Sequence, residues 1–205
     1  MMPTSGQLNV VPVAAPAPKE PKADGLLSAA ASPPAGATSA VASVTTAGVV
    51  GINEIDNNGT GTITINGSKG GTDAMTIGDS RQLILNATVG KIQIGNANPN
   101  VNLAIADNAA GPSSVVINGP GQVLLSKSNT FSGGLTINPG ATLVVNNYTD
   151  VNGVFGTGTV TINGGTISKV SNTFTSSTNN NFNLNGDFSL TGYQFNLGTG
   201  QFTLG

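Results

Sequence analysis

The sequence predicts an all-β chain built as a parallel β-solenoid, and three observations predict it. Apolar residues alternate with small polar ones over four to six positions, as in Thr62-Ile-Thr-Ile-Asn66, Lys91-Ile-Gln-Ile94 and Thr159-Val-Thr-Ile162. A period of two puts every second side chain on one strand face, the pattern of a half-buried strand. Gly, Asn, Asp or Pro follows nearly every such stretch, and these residues end strands in turns. No segment of ten or more residues carries a helical period.

The 205 residues divide near residue 48. Seven of the eleven prolines lie in the first 34 residues, whereas 24 of the 25 asparagines come after residue 48. Only eight positions in 1–47 are Leu, Ile, Val or Phe, too few to offset the entropy of ordering the chain. The stretch Pro12-Val-Ala-Ala-Pro-Ala-Pro-Lys-Glu-Pro-Lys22 reads as an extended, polyproline-prone linker. Residues 1–47 are therefore expected to be a disordered Pro/Ala-rich leader. Pro3 directly after two methionines, with no basic segment and no apolar run behind it, does not read as a secretory signal.

In 48–205, Leu, Ile, Val and Phe hold 44 of 158 positions, enough to line a core. Short strands are expected at Thr62–Asn66, Lys91–Ile94, Val101–Ile105, Gly134–Ile137 and Thr159–Ile162, with corners at Asn66-Gly67, Gly78-Asp79, Asn118-Gly119, Asn138-Pro-Gly140 and Asn163-Gly-Gly165. Two repeats bear on how they stack. Gly59-Thr-Gly-Thr-Ile-Thr-Ile-Asn-Gly67 recurs as Gly156-Thr-Gly-Thr-Val-Thr-Ile-Asn-Gly164, and a Phe-x-Leu unit recurs at Phe182, Phe188, Phe195 and Phe202. Strands this short, with Asn at comparable corners, suit coils that align Asn on Asn about 4.8 Å apart. A β-sandwich is the alternative arrangement. If the coils stack, Asn118, Asn138 and Asn163 should share one corner and bond backbone groups of adjacent coils.

Composition excludes several chemistries. With no His and no Cys, imidazole and thiolate nucleophilic sites, His/Cys zinc sites and disulfides cannot form. Charged residues make up 8% and the net charge is −2, with seven Lys and Arg, which is too weak for electrostatic capture of nucleic acid or an anionic membrane. No apolar run approaches the length of a membrane-spanning helix. No cofactor or metal is expected.

The segment Ile117-Asn-Gly-Pro-Gly-Gln-Val-Leu-Leu-Ser-Lys-Ser-Asn-Thr-Phe-Ser-Gly-Gly-Leu-Thr-Ile-Asn-Pro-Gly-Ala-Thr-Leu-Val-Val-Asn-Asn147 resembles the autotransporter-associated β-strand repeat of bacterial passenger domains. Asn129, Thr130, Phe131, Gly133, Gly134, Gly140, Leu143 and Val145 carry the likeness. The resemblance covers about thirty residues closely, extends weakly over 156–205, and reaches 1–110 only in style. It implies a right-handed parallel β-helix outside a Gram-negative-type cell, in a structural, non-catalytic stalk. It also implies a longer solenoid and a translocator barrel as the rest of the architecture, and surface glycans or other surface proteins as partners.

Other candidates are weaker. Glu54 and Asp56 are two apart and would share a strand face, either as a weak calcium site or as solvated carboxylates at the domain edge. Gly70-Gly-Thr-Asp73 is expected to be a plain turn, and Arg81 beside Asp79 a surface pair. Most aromatics (Phe131, Tyr148, Phe155, Phe174, Phe182, Phe188, Tyr193, Phe195 and Phe202) are expected in the core. The leading functional expectation is a stalk or spacer with possible adhesion along its sides. The rivals are a polysaccharide lyase or hydrolase, which needs several converging carboxylates, and a carbohydrate-binding module, which needs a row of exposed aromatics. Phe195, Leu197, Phe202 and Leu204 are expected to form an exposed apolar end, as in a piece of a longer solenoid.

Overall fold

A computed structural model describes residues 39–43 (backbone), 51–66, 72–78, 80–95, 102–126, 128–145, 153–170 and 179–205. Among them there are strands and turns and no helix. The chain opens with β1 (Ser39–Ser43) and then winds in coils. The first holds β2 (Gly51–Ile52), β3 (Glu54–Asn57) and β4 (Thr62–Asn66); the second β5 (Thr72–Ile77), β6 (Gln82–Ala87) and β7 (Lys91–Ile94); the third β8 (Asn102–Ala106), β9 (Ser114–Asn118) and β10 (Gln122–Leu125). Two-stranded coils follow: β11 (Leu135–Ile137) with β12 (Thr142–Val145), β13 (Val160–Ile162) with β14 (Gly165–Lys169), and β15 (Phe182–Leu184) with β16 (Phe188–Gly192). The last strand is β17 (Phe202–Leu204).

Every strand pairs in parallel with its counterpart one coil away, which makes three faces. Face one runs β1-β4-β7-β10-β12-β14-β16, face two β3-β6-β9-β11-β13-β15-β17, and face three only β2-β5-β8. β1 pairs with β4 in full register from Ser39↔Thr62 to Ser43↔Asn66. The stack thus takes in five residues of the expected leader; the rest of 1–47 lies outside the described residues.

Alternation explains what each strand buries. In β4 Ile63 and Ile65 point in while Thr62, Thr64 and Asn66 point out, and the same pattern runs through β6, β7 and β9. On face two the register stacks Ile55, Leu85, Ile117, Ile137, Ile162, Leu184 and Leu204 in one column. Ile55 through Ile162 of that column belong to the single core cluster that fills the coils from Ile52 to Phe182. Each such side chain contributes roughly 1.5–3 kcal/mol when fully buried. The core is one residue deep from each face, so no coil holds its apolar face without a neighbour.

Successive coils measured at one corner are 30, 32, 20, 25 and 22 residues long. They shorten after β8, beyond which face three has no strand among the described residues. Beyond β8 the described residues of the third side are irregular, and Asn129–Gly134 of the motif lie in the first such segment.

Candidate functional site

The Asn129–Gly134 segment lies where a fourth strand of face three would fall. Asn129 does a strand's bonding with its side chain: Oδ1 accepts from Ile105 N at 2.8 Å, and Nδ2 donates to Val154 O at 2.8 Å. Its own backbone N donates to Gly153 O at 2.7 Å, and Thr130 N donates to Ile105 O at 2.8 Å. Asn129 is 3% exposed and Phe131 is fully buried beside it. The two glycines follow from close approach. A Cβ on Gly133 would lie 2.7 Å from the Ser113 carbonyl carbon; Gly134 sits at φ +103, and a Cβ there would lie 2.7 Å from Thr159 O. Gly140 adopts φ +80 with open space around it, so backbone conformation alone demands it. Leu143 and Val145 point into the core from β12. Asn129 and the two glycines join neighbouring coils, with the Asn129 amide spent on backbone, while Thr130 is exposed.

A second feature runs along the outside of face two. Near the C-terminal end of β6, β9, β11, β13 and β15 stand Asn86, Asn118, Asn138, Asn163 and Asn185, stacked one above the other from Asp56 of β3. Asn118 Nδ2 donates to Asn86 Oδ1 at 2.9 Å, Asn138 Nδ2 to Asn118 Oδ1 at 2.6 Å, Asn163 Nδ2 to Asn138 Oδ1 at 2.9 Å, and Asn185 Nδ2 to Asn163 Oδ1 at 3.0 Å. Asn86 Nδ2 donates to Asp56 Oδ1 at 2.7 Å and to Glu54 Oε1 at 2.9 Å. Carboxylates at the head can only accept, so Asn86 must turn its amide nitrogen toward them, and every later amide then points the same way. The ladder has a direction, fixed by Glu54 and Asp56.

Asn118, Asn138 and Asn163 do share one corner. They bond one another's side chains, however, and not backbone as the sequence suggested. Backbone bonding falls to Asn57, which donates to Gly61 O and Lys91 O at 2.9 Å each, to Asn129, and to Asn180, which donates to Gly158 O at 2.7 Å. The sequence reading did not place Asn86 and Asn185 at corners, although each directly follows a strand leucine, Leu85 or Leu184, which was the available signal.

The charged groups are dispersed. Asp107 accepts from Ser113 N at 2.8 Å, Ser132 N at 2.8 Å and Ser132 Oγ at 2.7 Å. Burial raises its pKa, but the bonds from Ser132 and Ser113 together hold the carboxyl below its ordinary value. Lys169 ends β14 on the inward side, 3% exposed, with Nζ donating to Gln194 O at 2.5 Å. Burial lowers its pKa. Its inward position follows from the alternation Ile167-Ser168-Lys169, a signal the sequence reading did not use. Among the described residues no three His, Cys, Asp or Glu side chains group together.

Asp79 and Gly70–Gly71 lie outside the described residues, while Arg81 is exposed at φ 54. Thr72 and Asp73 open β5, so that half of the expected turn is strand. Phe131, Phe155 and Phe182 are buried, with Phe155 edge-on to Phe182 at 6.2 Å and Phe202 stacked on Phe182 at 5.1 Å. Tyr148 and Phe174 fall outside the described residues. At the last coil Phe202 is 50% and Leu204 79% exposed, joined by Phe188 and Leu190 of β16. Phe195 and Leu197, expected to be exposed there, instead pack partly buried against the core.

Face order, parallel register and side-chain ladders define the chain as a stacked parallel β-coil. No family model, no curated protein and no solved structure matches it. No helix of the described residues is long and apolar enough to cross a membrane.

Proposed function

We propose that this chain is a structural, non-enzymatic coil segment of a secreted or cell-surface protein, a spacer of the autotransporter-passenger kind. The observation that carries this reading is where the polar side chains point. Asn57, Asn86, Asn129 and Asp107, together with the ladder asparagines, are committed to adjacent coils and do not converge on a cleft. Glu54 and Asp56, the closest carboxylate pair in the sequence, both receive Asn86. The coils are right-handed in this proposal, because a chain that leaves a strand and returns beside it in parallel strongly favours that hand. Adhesion to surface glycans or proteins would use the flanks, and the remaining solenoid and a translocator barrel would lie elsewhere in the architecture. Support for the passenger kind comes from residues 117–147 alone.

The test is an assay of the full chain against acidic polysaccharides, beside the Glu54→Gln/Asp56→Asn double variant and Asp107→Asn. No cleavage by the wild type, and surface display of a fused reporter unchanged by the double variant, is the expected outcome. Cleavage that disappears in either variant would overturn the structural reading in favour of the lyase or hydrolase.

A further inference from the structure

Three ladder asparagines are followed by glycine: Asn118-Gly119, Asn163-Gly164 and Asn185-Gly186. Packing imposes the pairing. The asparagine carries the ladder, and a Cβ in place of hydrogen would lie 2.4 Å from Ala87 O at Gly119 and 2.4 Å from Asn163 O at Gly186. The same dipeptide is chemically labile, because a glycine amide has no side chain to obstruct its attack on the neighbouring side-chain carbonyl.

The ladder treats the three pairs unequally. At Asn118 and Asn163 the amide is held on both sides, since Nδ2 donates to the coil before and Oδ1 accepts from the coil after. At Asn185 only Nδ2 is held, by Asn163 Oδ1 at 3.0 Å. The next position in the column is Gly205, in register after Leu204, and it has no side chain to donate. Asn185 is also exposed, and Asn185 and Gly186 line a surface concavity with Asp187, Phe188 and Leu204. Among the described residues the other exposed pair, Asn58-Gly59, is engaged at both reacting groups: Asn58 Oδ1 accepts from Thr88 Oγ1 at 2.9 Å, and Gly59 N donates to Asn57 Oδ1 at 3.1 Å.

We propose that Asn185-Gly186 is a spontaneous deamidation site, the first rung of the ladder to convert. The Gly186 nitrogen bonds to Asn185 Cγ, the Cγ–Nδ2 bond breaks, and the Gly186 amide proton leaves with that nitrogen as ammonia. One water then opens the cyclic imide at either carbonyl, giving aspartate or isoaspartate at 185. Either product removes the donor that Asn163 Oδ1 receives and sets a negative oxygen against it. Isoaspartate also adds a methylene to the backbone between β15 and β16, where Leu190 must align with Ile167. Conversion therefore loosens the last coil and leaves the earlier rungs in place. This inference rests on the ladder and not on the proposed function.

The test is incubation of the full chain in mildly alkaline buffer, followed by peptide mass spectrometry that separates aspartate from isoaspartate. Asn185 is expected to convert about fivefold faster than Asn118 or Asn163, the factor that one net hydrogen bond of about 1 kcal/mol supplies. In denaturant the three rates should become equal. Gly205→Asn places a donor over Asn185 Oδ1, whose flexible side chain can yield the space, and should slow conversion there toward the rate of the other two. Equal native rates at all three pairs, or a Gly205→Asn chain that converts at Asn185 as fast as the wild type, would overturn the proposal.

Discussion

Lys169 is a charged side chain buried at the end of β14. An ammonium group turned inward from β14 loses hydration and donates to Gln194 O. Its folded-state pKa lies below the ordinary 10.5, so the folded chain binds the proton less tightly than the unfolded chain. Stability must then rise with pH across the window between the lowered value and 10.5. Chemical denaturation from neutral pH upward should show that slope in the wild type and lose it in Lys169→Met. Identical slopes in the two proteins would mean that Lys169 is hydrated in solution.

At the scale of elements, the question is what joins one coil to the next besides the backbone bonds of parallel strands. Asn138 sits mid-ladder, donating to Asn118 and accepting from Asn163. Asn138→Ala removes both bonds and should cost about 2 kcal/mol, at roughly 1 kcal/mol for each. Asn138→Asp keeps the acceptor for Asn163 but, when ionised, sets an oxygen against Asn118 Oδ1. It should destabilise more than alanine at neutral pH and recover as acid protonates it, which urea unfolding at two pH values would read. An aspartate variant as stable as the wild type at neutral pH would show that the ladder has no fixed direction. The corner asparagines were legible in the sequence as turn formers following apolar strands. Their bonding to one another was not, because it depends on which corners the stack superimposes.

For the whole molecule, stability is a sum over neighbouring coils, each burying its apolar column only against the next. The middle coils have neighbours on both sides, and β9, β11 and β13 keep their inward side chains buried. β16 and β17 are exposed along their whole length. Hydrogen exchange should therefore show the strongest amide protection in β9–β13, falling steadily toward β17. Uniform protection from β3 to β17 would instead make the stack a single cooperative unit.

The sequence by itself determined the all-β class, the inward residues of strands such as β4, β7 and β13, and the corners at Asn118, Asn138 and Asn163. All three follow from a side-chain period of two and from backbone preferences that act within a few residues. Only the tertiary structure decided which face each strand joins. The nonapeptides Gly59–Gly67 and Gly156–Gly164 differ at one position, yet the first supplies β4 on face one and the second β13 on face two. The four Phe-x-Leu units likewise supply β15 on face two, β16 on face one, the irregular third side, and β17 on face two again. The physical reason is that a strand's partner lies 20 to 32 residues away. Its face is set by the length of chain spent since the previous coil, a property of the stack that no local pattern of residues encodes.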